Sequence, residues 1–225
     1  MKSLVALVCA ATAGISYAGV LGMQAPDGAE YRIAVTSLKE VRFKAIMKQQ
    51  YDFSCGSAAL ATLLTYHYGY PVNEQAVFED MYRRGDQRKI RKEGFSLLDM
   101  KFFLQARGFQ ADGFQLPLEK LEGARLPAIV LLADNGYRHF VVVKGMRDGR
   151  VLVGDPSSGT RAMTRAAFEA KWVSKLMFVI HNKQQLAQFN QPIDWRAAPR
   201  APIANAVDRE AFDHVSIPKL GPGDF

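Results

Sequence analysis

The stretch that decides the fold is Gln49-Gln50-Tyr51-Asp52-Phe53-Ser54-Cys55-Gly56-Ser57-Ala58-Ala59-Leu60. In it a polar, turn-forming segment runs directly into an apolar helical pattern. Ser54 is a suitable N-cap, so we expect Cys55 in the first helical turn, where unpaired N–H groups and the helix dipole favour a nucleophilic thiolate. Gln49, six residues upstream, is a candidate amide donor to an oxyanion. The stretch therefore predicts a cysteine nucleophile whose base comes from elsewhere in the chain.

The bulk composition narrows the class of protein. With 225 residues, 48% of them hydrophobic and 23% charged, the chain is typical of a globular protein with one sizeable core. The net charge of +7 indicates an acidic partner only weakly. Because the chain lacks long basic tails and the aromatic pattern of nucleic-acid-binding proteins, we predict no nucleic-acid partner. We also predict no cofactor and no metal.

Residues 1–18 have the pattern of a secretory signal peptide, with a basic start, an apolar run at residues 4–13, and Ser16-Tyr17-Ala18 before the cleavage point. A short membrane anchor is the alternative interpretation. We expect a periplasmic protein without a membrane span after cleavage. Because Cys9 leaves with the signal, Cys55 becomes the one cysteine of the mature chain and forms no internal disulfide. A small buried core thiol is the structural alternative to a nucleophile.

Downstream, the apolar pattern predicts helices packed on an antiparallel β-sheet, an α+β domain at residues 44–181. An N-terminal arm at residues 19–43 precedes this domain. A Pro-rich extension at residues 182–225 follows it, packed in part through Trp195 and Phe212 or else disordered. Helices are predicted at residues 57–68, 73–84, 96–107 and 164–172, with a further turn at 118–121, and strands at 109–114, 128–132, 137–143, 151–156 and 176–180.

Residues 83–94 carry six basic and two acidic side chains, most of the excess positive charge of the chain. This segment predicts a solvated basic loop. The functional alternative is a basic rim that orients an acidic or polar peptide.

His139 is the best candidate for the base among the four histidines, because it begins a predicted central strand where side chains are held rigidly. His67 lies about 18 Å from Cys55 along the helix, too far for a partner, and is predicted to be half-exposed. His181 and His214 lie at or beyond the edge of the domain.

Asp155 is the candidate carboxylate that orients the base. It ends the strand after that of His139, and a hairpin turn at Asp148-Gly149 would bring His139 and Asp155 to the same edge of the sheet. Asp134 and Asp148 are rival carboxylates, but both fit turn positions.

The motifs Gln49, Cys55-Gly56, His139-Phe140-Val141-Val142 and Asp155-Pro156-Ser157-Ser158-Gly159 occur in this order. Together they resemble the papain-like bacteriocin-processing (double-glycine) cysteine peptidase family over residues 44–181. The resemblance implies a papain-like fold and hydrolysis of a protein or peptide substrate. It also implies Cys55 as nucleophile, His139 as general base and then acid, Asp155 as its orienting group, and Gln49 with the Cys55 N–H as oxyanion donors.

The predicted signal peptide distinguishes this chain from family members that form part of an export ATPase. With this signal peptide, the chain resembles exported members of the family that accompany functional-amyloid secretion. The resemblance implies amyloid-system proteins as substrates or partners. Two other functions remain open from the residues alone. One is a transglutaminase-like acyl transferase, and the other is a non-catalytic peptide-binding module of a secretion system.

Overall fold

The computed structural model describes residues 20–24, 30–134 and 136–199. The predicted signal peptide, Phe212 and His214 lie outside the described residues. The chain divides into two compact units, of which the first ends at Val41 and the second begins at Arg42. In the first unit, strand β1 (Val20–Gln24) pairs with strand β2 (Glu30–Ala34) in an antiparallel hairpin. Helix α1 (Leu38–Phe43) contains the boundary.

The second unit is an α+β domain whose six strands form one antiparallel sheet in the order β3-β8-β4-β5-β6-β7. Its helices are α2 (Cys55–Thr62), which continues as a π-helical turn (Leu63–His67), α3 (Glu74–Arg84), α4 (Gln87–Glu93), α5 (Leu97–Gln105), α6 (Leu118–Ala124), α7 (Arg165–Lys171) and α8 (Pro192–Trp195), with a 3-10 turn at Gln184–Leu186. Its strands are β3 (Ala111–Gln115), β4 (Ala128–Asp134), β5 (Tyr137–Arg147), β6 (Arg150–Asp155), β7 (Gly159–Thr164) and β8 (Trp172–Ile180).

Both faces of the sheet are covered, as the continuous apolar run of β4 predicts. Because neighbouring strand residues point to opposite faces, Ile129 and Val142 join the cluster formed with the helices α2 to α5. Val130 and Val141 join a second cluster formed with α6 and α7 on the other face. The helical layer that begins at Cys55 therefore lies against one face of the strand that begins at Tyr137.

Strands β5 and β6 form the predicted hairpin. Arg147 pairs with Arg150 across a two-residue turn, in which Asp148 and Gly149 have φ angles of 55° and 68°. Positive φ at both central residues is the geometry of a type I′ turn, for which Asp-Gly is a preferred sequence. The prediction that this turn brings the start of one strand near the end of the other is confirmed.

Helix α4 corrects the prediction of a loop at residues 83–94. The Asp86 carboxylate accepts hydrogen bonds from the N–H groups of Arg88 and Lys89, and Ile90 is buried. A side-chain cap and one apolar anchor are sufficient here to fold a strongly charged segment into a helix packed on the domain. Strand β7 was also not predicted, because its mixed sequence lacks a clear alternation of apolar and polar residues.

Residues 184–199 pack along the domain and are named the strap here. The Asn190 side chain accepts a hydrogen bond from the Met146 N–H and donates one to the Met146 carbonyl, and its own N–H donates to the Lys144 carbonyl. Trp195 is buried and stacks with Arg147, which confirms its predicted packing. Within the part of the chain that the structure describes, no helix is long and apolar enough to span a membrane.

Candidate active site

Cys55 is the first residue of α2, as predicted, and it is 8% exposed. The prediction that the Ser54 side chain caps this helix is wrong. Its hydroxyl instead accepts from the Tyr51 N–H (3.1 Å) and donates to the Tyr51 carbonyl (3.0 Å). Ser54 therefore closes the turn that precedes the helix and leaves the Cys55 N–H free of any intrahelical partner.

Gly56 allows α2 to approach α5 closely. A Cβ atom at this position would lie 2.9 Å from Met100 Cε and 3.1 Å from Phe95 Cβ. Met100 Cε is the end of a flexible side chain that can turn away, whereas Phe95 would have to move by a few tenths of an ångström to admit a larger residue. Glycine after the cysteine thus lets the start of α2 pack closely on Phe95 and Met100.

His139 and Asp155 form a buried hydrogen-bonded pair. His139 Nε2 lies 3.1 Å from Asp155 Oδ2, and the two residues are 5% and 2% exposed. The imidazole comes from the start of β5 and the carboxylate from the end of β6, which is the arrangement that the hairpin predicts. The rival carboxylates Asp134 and Asp148 are not the partners of His139 Nε2.

Asp155 is surrounded by hydrogen-bond donors. Its Oδ1 accepts from the N–H and hydroxyl of Ser157 at 2.9 and 2.6 Å, and Arg161 Nη2 lies 3.3 Å from Oδ2. Burial alone would raise the pKa of the carboxyl, but the hydrogen bonds from His139 and Ser157 hold that pKa well below its usual range. Asp155 is therefore ionised at neutral pH and can only accept hydrogen bonds.

This carboxylate determines the tautomer of the imidazole. Because the Asp155 carboxylate can only accept a hydrogen bond, Nε2 must be the donor. The proton of neutral His139 therefore lies on Nε2, and Nδ1 carries a lone pair. Nδ1 is buried and has no hydrogen-bond partner among the described residues. An unpaired acceptor in the interior is unfavourable unless a proton donor reaches it, so Nδ1 is suited to take a proton.

The Cys55 thiol lies against the start of β5. Its Sγ is 3.5 Å from the backbone nitrogen of Phe140, the residue that follows His139 on β5. Burial raises the pKa of the Cys55 thiol, and the N–H groups of Phe140 and Gly56 offset this only in part. The prediction of a thiolate stabilised by the helix start is therefore wrong in its net direction, since desolvation outweighs the helix N–H groups. The thiol needs a neighbouring base.

Gln49 lies next to the same edge of the sheet. Its backbone N–H donates to the Pro156 carbonyl at 3.1 Å, which ties it to the residue after Asp155. Its Nε2 donates one hydrogen bond to the Tyr51 carbonyl at 3.1 Å. Gln49 also contacts the Tyr137 hydroxyl, since burial raises the pKa of Tyr137 and a hydrogen bond from the Gln49 side chain partly offsets this rise. The Gln49 amide therefore lies between the turn before α2 and the start of β5.

Comparison with known proteins gives the same picture. The model of the Peptidase C39 family matches residues 43–184. The chain belongs to this family. It is 40% identical over 164 residues to the probable functional amyloid protease FapD of Pseudomonas aeruginosa, across 72% of this chain and 73% of that protein. The Pseudomonas fluorescens protein of the same name is 40% identical over 161 residues, across 71% of each chain.

The fold also matches a solved C39 peptidase structure. The peptidase domain of Streptococcus ComA, a bi-functional ABC transporter involved in a quorum sensing pathway, aligns with a TM-score of 0.51 and 20% identity. The alignment covers 60% of this chain and 97% of that domain. The predicted papain-like α+β fold and the predicted cysteine peptidase class are therefore confirmed.

Two residues of this C39 peptidase site were missed from the sequence. Tyr137 stacks on His139, with ring centroids 5.4 Å apart and planes 21° apart, and its hydroxyl donates to the Asp52 carbonyl at 2.9 Å. Arg161 contacts Asp155 from β7, the strand that was not predicted. Tyr137 could have been found from its alternation with His139 on one face of a strand, whereas no signal pointed to Arg161.

The other described histidines belong to other surroundings. His67 is fully buried, so the prediction of a half-exposed side chain is wrong, and its Nδ1 lies 2.7 Å from the carbonyl of Gln188 in the strap. Burial, together with the nearby Lys144 charge, lowers the pKa of His67 to about 4. His181 Nε2 lies 2.9 Å from Asp112.

Proposed function

We propose that this protein is an exported cysteine endopeptidase that hydrolyses peptide bonds through Cys55, His139 and Asp155. We propose further that it acts in the periplasm on proteins of a functional-amyloid secretion system. Membership of the Peptidase C39 family and 40% identity to two probable functional amyloid proteases support this proposal. The observation that carries the triad is the unpaired Nδ1 of the buried His139–Asp155 pair beside the strand residue that contacts the thiol.

In the acylation step, Nδ1 of His139 takes the thiol proton as Sγ of Cys55 attacks the scissile carbonyl carbon. The carbonyl oxygen becomes an oxyanion, which accepts hydrogen bonds from the Cys55 N–H and from the Gln49 side-chain amide, which turns from the Tyr137 hydroxyl to the oxyanion. Asp155 stabilises the imidazolium that forms. The imidazolium then donates its proton to the leaving amine as the C–N bond breaks, and a thioester remains on Cys55.

In the deacylation step, a water molecule approaches the thioester from the side that the amine has left. His139 is neutral again and accepts a proton from this water, whose oxygen attacks the thioester carbonyl. The second oxyanion collapses with return of the proton to sulfur. A carboxylic acid product and the free thiol are released.

The proposed function goes with the following division of the chain into segments. We assign residues 1–18 to a signal peptide, 19–43 to an N-terminal arm, 44–181 to the peptidase domain and 182–225 to a C-terminal extension. Fractionation of cells with an antibody to the chain tests export. Recovery of the chain in the cytoplasm, with residues 1–18 uncleaved by mass spectrometry, would overturn the assignment.

The central experiment compares the exported proteins of cells that carry the wild-type chain or Cys55→Ala. We expect cleavage products of amyloid-system proteins to be absent with Cys55→Ala. We also expect the thiol of the wild type to form a thiohemiacetal with a peptide aldehyde and to be alkylated, with loss of chloride, by a peptide chloromethyl ketone. The Cys55→Ser variant is the matched control, since it replaces the thiol by a hydroxyl of similar shape that is a much weaker nucleophile. Identical product patterns in all strains would refute the peptidase proposal, and amine-dependent crosslinking without cleavage would favour the acyl transferase.

A further inference from the structure

A basic surface lies at the end of α3 and along α4. Its six cationic side chains are all exposed, and they are Arg83, Arg84, Arg88, Lys89, Arg91 and Lys92. Arg83 and Arg84 pair with the buried Asp80, which fixes the end of α3. Among the described residues, Arg88, Lys89 and Lys92 form no ion pair, so three charges of α4 are left without an internal partner.

This surface adjoins the segment that carries the nucleophile. Gly94, directly after α4, has a φ of 78°, and a Cβ there would lie 3.3 Å from the Phe53 carbonyl oxygen. The next residue, Phe95, packs against Gly56. The carboxyl end of α4 is therefore in contact with the chain on both sides of Cys55.

A layer of aromatic rings joins α4 to the approach to Cys55. Phe78 lies at its centre and contacts Tyr51, Phe53 and Tyr82, with ring centroids 5.1, 5.9 and 5.5 Å away. Tyr51 is half exposed, and the other three rings are partly exposed. The Tyr82 hydroxyl accepts a hydrogen bond from Arg91 Nη1 at 2.8 Å, which holds one guanidinium of α4 at the edge of this layer.

We propose that this basic and aromatic surface binds an acidic segment of the polypeptide substrate next to the bond that is cut. The inference deepens the proposed peptidase function and rests on it. Tyrosine and arginine are the residues enriched in protein-binding hot spots, because they combine a large rigid contact area with hydrogen bonding. Three unpaired cations at the rim of such a layer favour carboxylate side chains and increase the rate of encounter with them.

Carboxylates of a peptide fit this surface better than an anionic membrane. Arg91, on the same helix as the unpaired cations, contacts Tyr82 of the aromatic layer, and Tyr51 and Phe53 of that layer precede Cys55 by four and two residues. We therefore expect a peptide bound at Cys55 to reach the cations of α4 across this layer. A guanidinium fixed by Tyr82 keeps N–H groups for a carboxylate, which it can bind in a bidentate manner. Substrate segments rich in Asp and Glu, with aromatic residues between them, are thus the expected occupants.

The test measures binding with the full chain carrying Cys55→Ala, so that no cleavage occurs. The probe is a fluorescein-labelled peptide that repeats Glu-Tyr-Asp-Phe, and its neutral counterpart repeats Gln-Tyr-Asn-Phe. Fluorescence anisotropy is expected to show about tenfold tighter binding of the acidic peptide, as three exposed ion pairs provide, and a preference that falls as salt is added. Adding Arg88→Gln, Lys89→Gln and Lys92→Gln together is expected to abolish the preference.

The matched control removes the same charge from positions outside α3 and α4. Lys120, Arg125 and Lys175 are exposed, and Lys120 belongs to α6, which packs on the other core cluster. Their combined change to Gln is expected to retain the preference. Equal binding of both peptides, or an equal loss in both triple variants, would overturn the inference. Binding of phosphatidylglycerol vesicles that depends on α4, without the peptide preference, would assign the surface to a membrane instead.

The outcomes also separate this inference from the peptidase proposal. If the acidic preference is observed but wild-type cells yield no cleavage product that Cys55→Ala cells lack, the peptidase proposal fails and the binding surface remains. If cleavage depends on Cys55 but the acidic and neutral peptides bind alike, the surface inference fails alone.

Discussion

The hydroxyl of Tyr137 links the strand that carries His139 to the loop that carries Gln49. Replacement by phenylalanine removes the hydrogen bond to the Asp52 carbonyl but keeps the ring that stacks on His139 at 5.4 Å. Tyr137→Phe therefore separates the two contacts of this residue. Replacement by alanine removes both.

The magnitude follows from the exposure of the bond. Tyr137 is 49% exposed and Asp52 is also exposed, so water replaces the lost donor and the free energy of unfolding falls by only about 0.5–1 kcal/mol. The loop keeps its bonds from Gln49 to Pro156 and from Tyr51 to Ser54, so it shifts without unfolding. If the shifted Gln49 amide stabilises the transition state less by the same free energy, kcat/KM falls about two- to sixfold, because about 1.36 kcal/mol corresponds to a tenfold change in rate.

Two rates measured on each variant locate the effect. Peptide cleavage requires the oxyanion donors, whereas alkylation of Cys55 by iodoacetamide forms no oxyanion and requires only the thiol and its base. We expect Tyr137→Phe to lower kcat/KM with the alkylation rate unchanged, and Tyr137→Ala to lower both. Tyr70→Phe, a change at an exposed tyrosine that packs on Phe109, is the control and is expected to leave both rates unchanged. An unchanged kcat/KM in Tyr137→Phe, or an equal slowing of alkylation, would refute the role assigned to the hydroxyl.

The remaining predictions concern buried ionisable groups. Asp155→Asn is expected to lower kcat/KM by about 100- to 10,000-fold in a peptide cleavage assay, since the tautomer and charge that serve His139 are lost. The depressed pKa of Asp155 stabilises the native state above the ordinary carboxyl pKa, so urea titrations should show that acidification below about pH 4 removes this stability from the wild type but not from Asp155→Asn. Lys144→Met leaves the buried Asp194 carboxylate of the strap unpaired and should cost about 3–5 kcal/mol in thermal unfolding, most of which Lys144→Met with Asp194→Leu should restore. His67 is buried with a pKa of about 4, so the native state holds it neutral. About 3 kcal/mol of the free energy of unfolding is therefore lost as the pH falls from about 6.5 to 4 and the unfolded chain takes up the proton. His67→Gln should flatten the plot of unfolding free energy against pH over this range.

The parts of the site that sequence predicts are those governed by local pattern. Strand periodicity and the Asp-Gly turn locate His139 and Asp155 at one edge, because a two-residue hairpin fixes the register of its strands. The cysteine at the start of α2 follows from a polar segment before an apolar helix. Each of these predictions depends on residues that lie within about twenty positions of one another in the chain.

The parts that sequence does not predict depend on what packs over a residue from far along the chain. Tyr137 meets Asp52 across 85 residues, and His67 is buried because the strap residue Gln188 covers it from 121 residues away. The pKa of Cys55 changes direction for the same reason, since desolvation by the assembled layers outweighs the N–H groups of its own helix. Local sequence describes the helix start but not how deeply it is buried.

The assembled site makes the reactivity of the thiol conditional on the joining of two layers. Cys55 belongs to the helical layer, His139 and Asp155 to the sheet, and the Gln49 loop is bonded to both through Pro156 and the Tyr51–Ser54 turn. A buried thiol with a raised pKa is a poor nucleophile unless a base is beside it, so under the proposed triad the docking of the two layers must both bury Cys55 and bring His139 to it. Burial alone, without the base, would leave the thiol less reactive than in an unfolded chain. The iodoacetamide rate of the unfolded chain at neutral pH, set by the ordinary thiol pKa, should therefore exceed that of a folded His139→Ala variant.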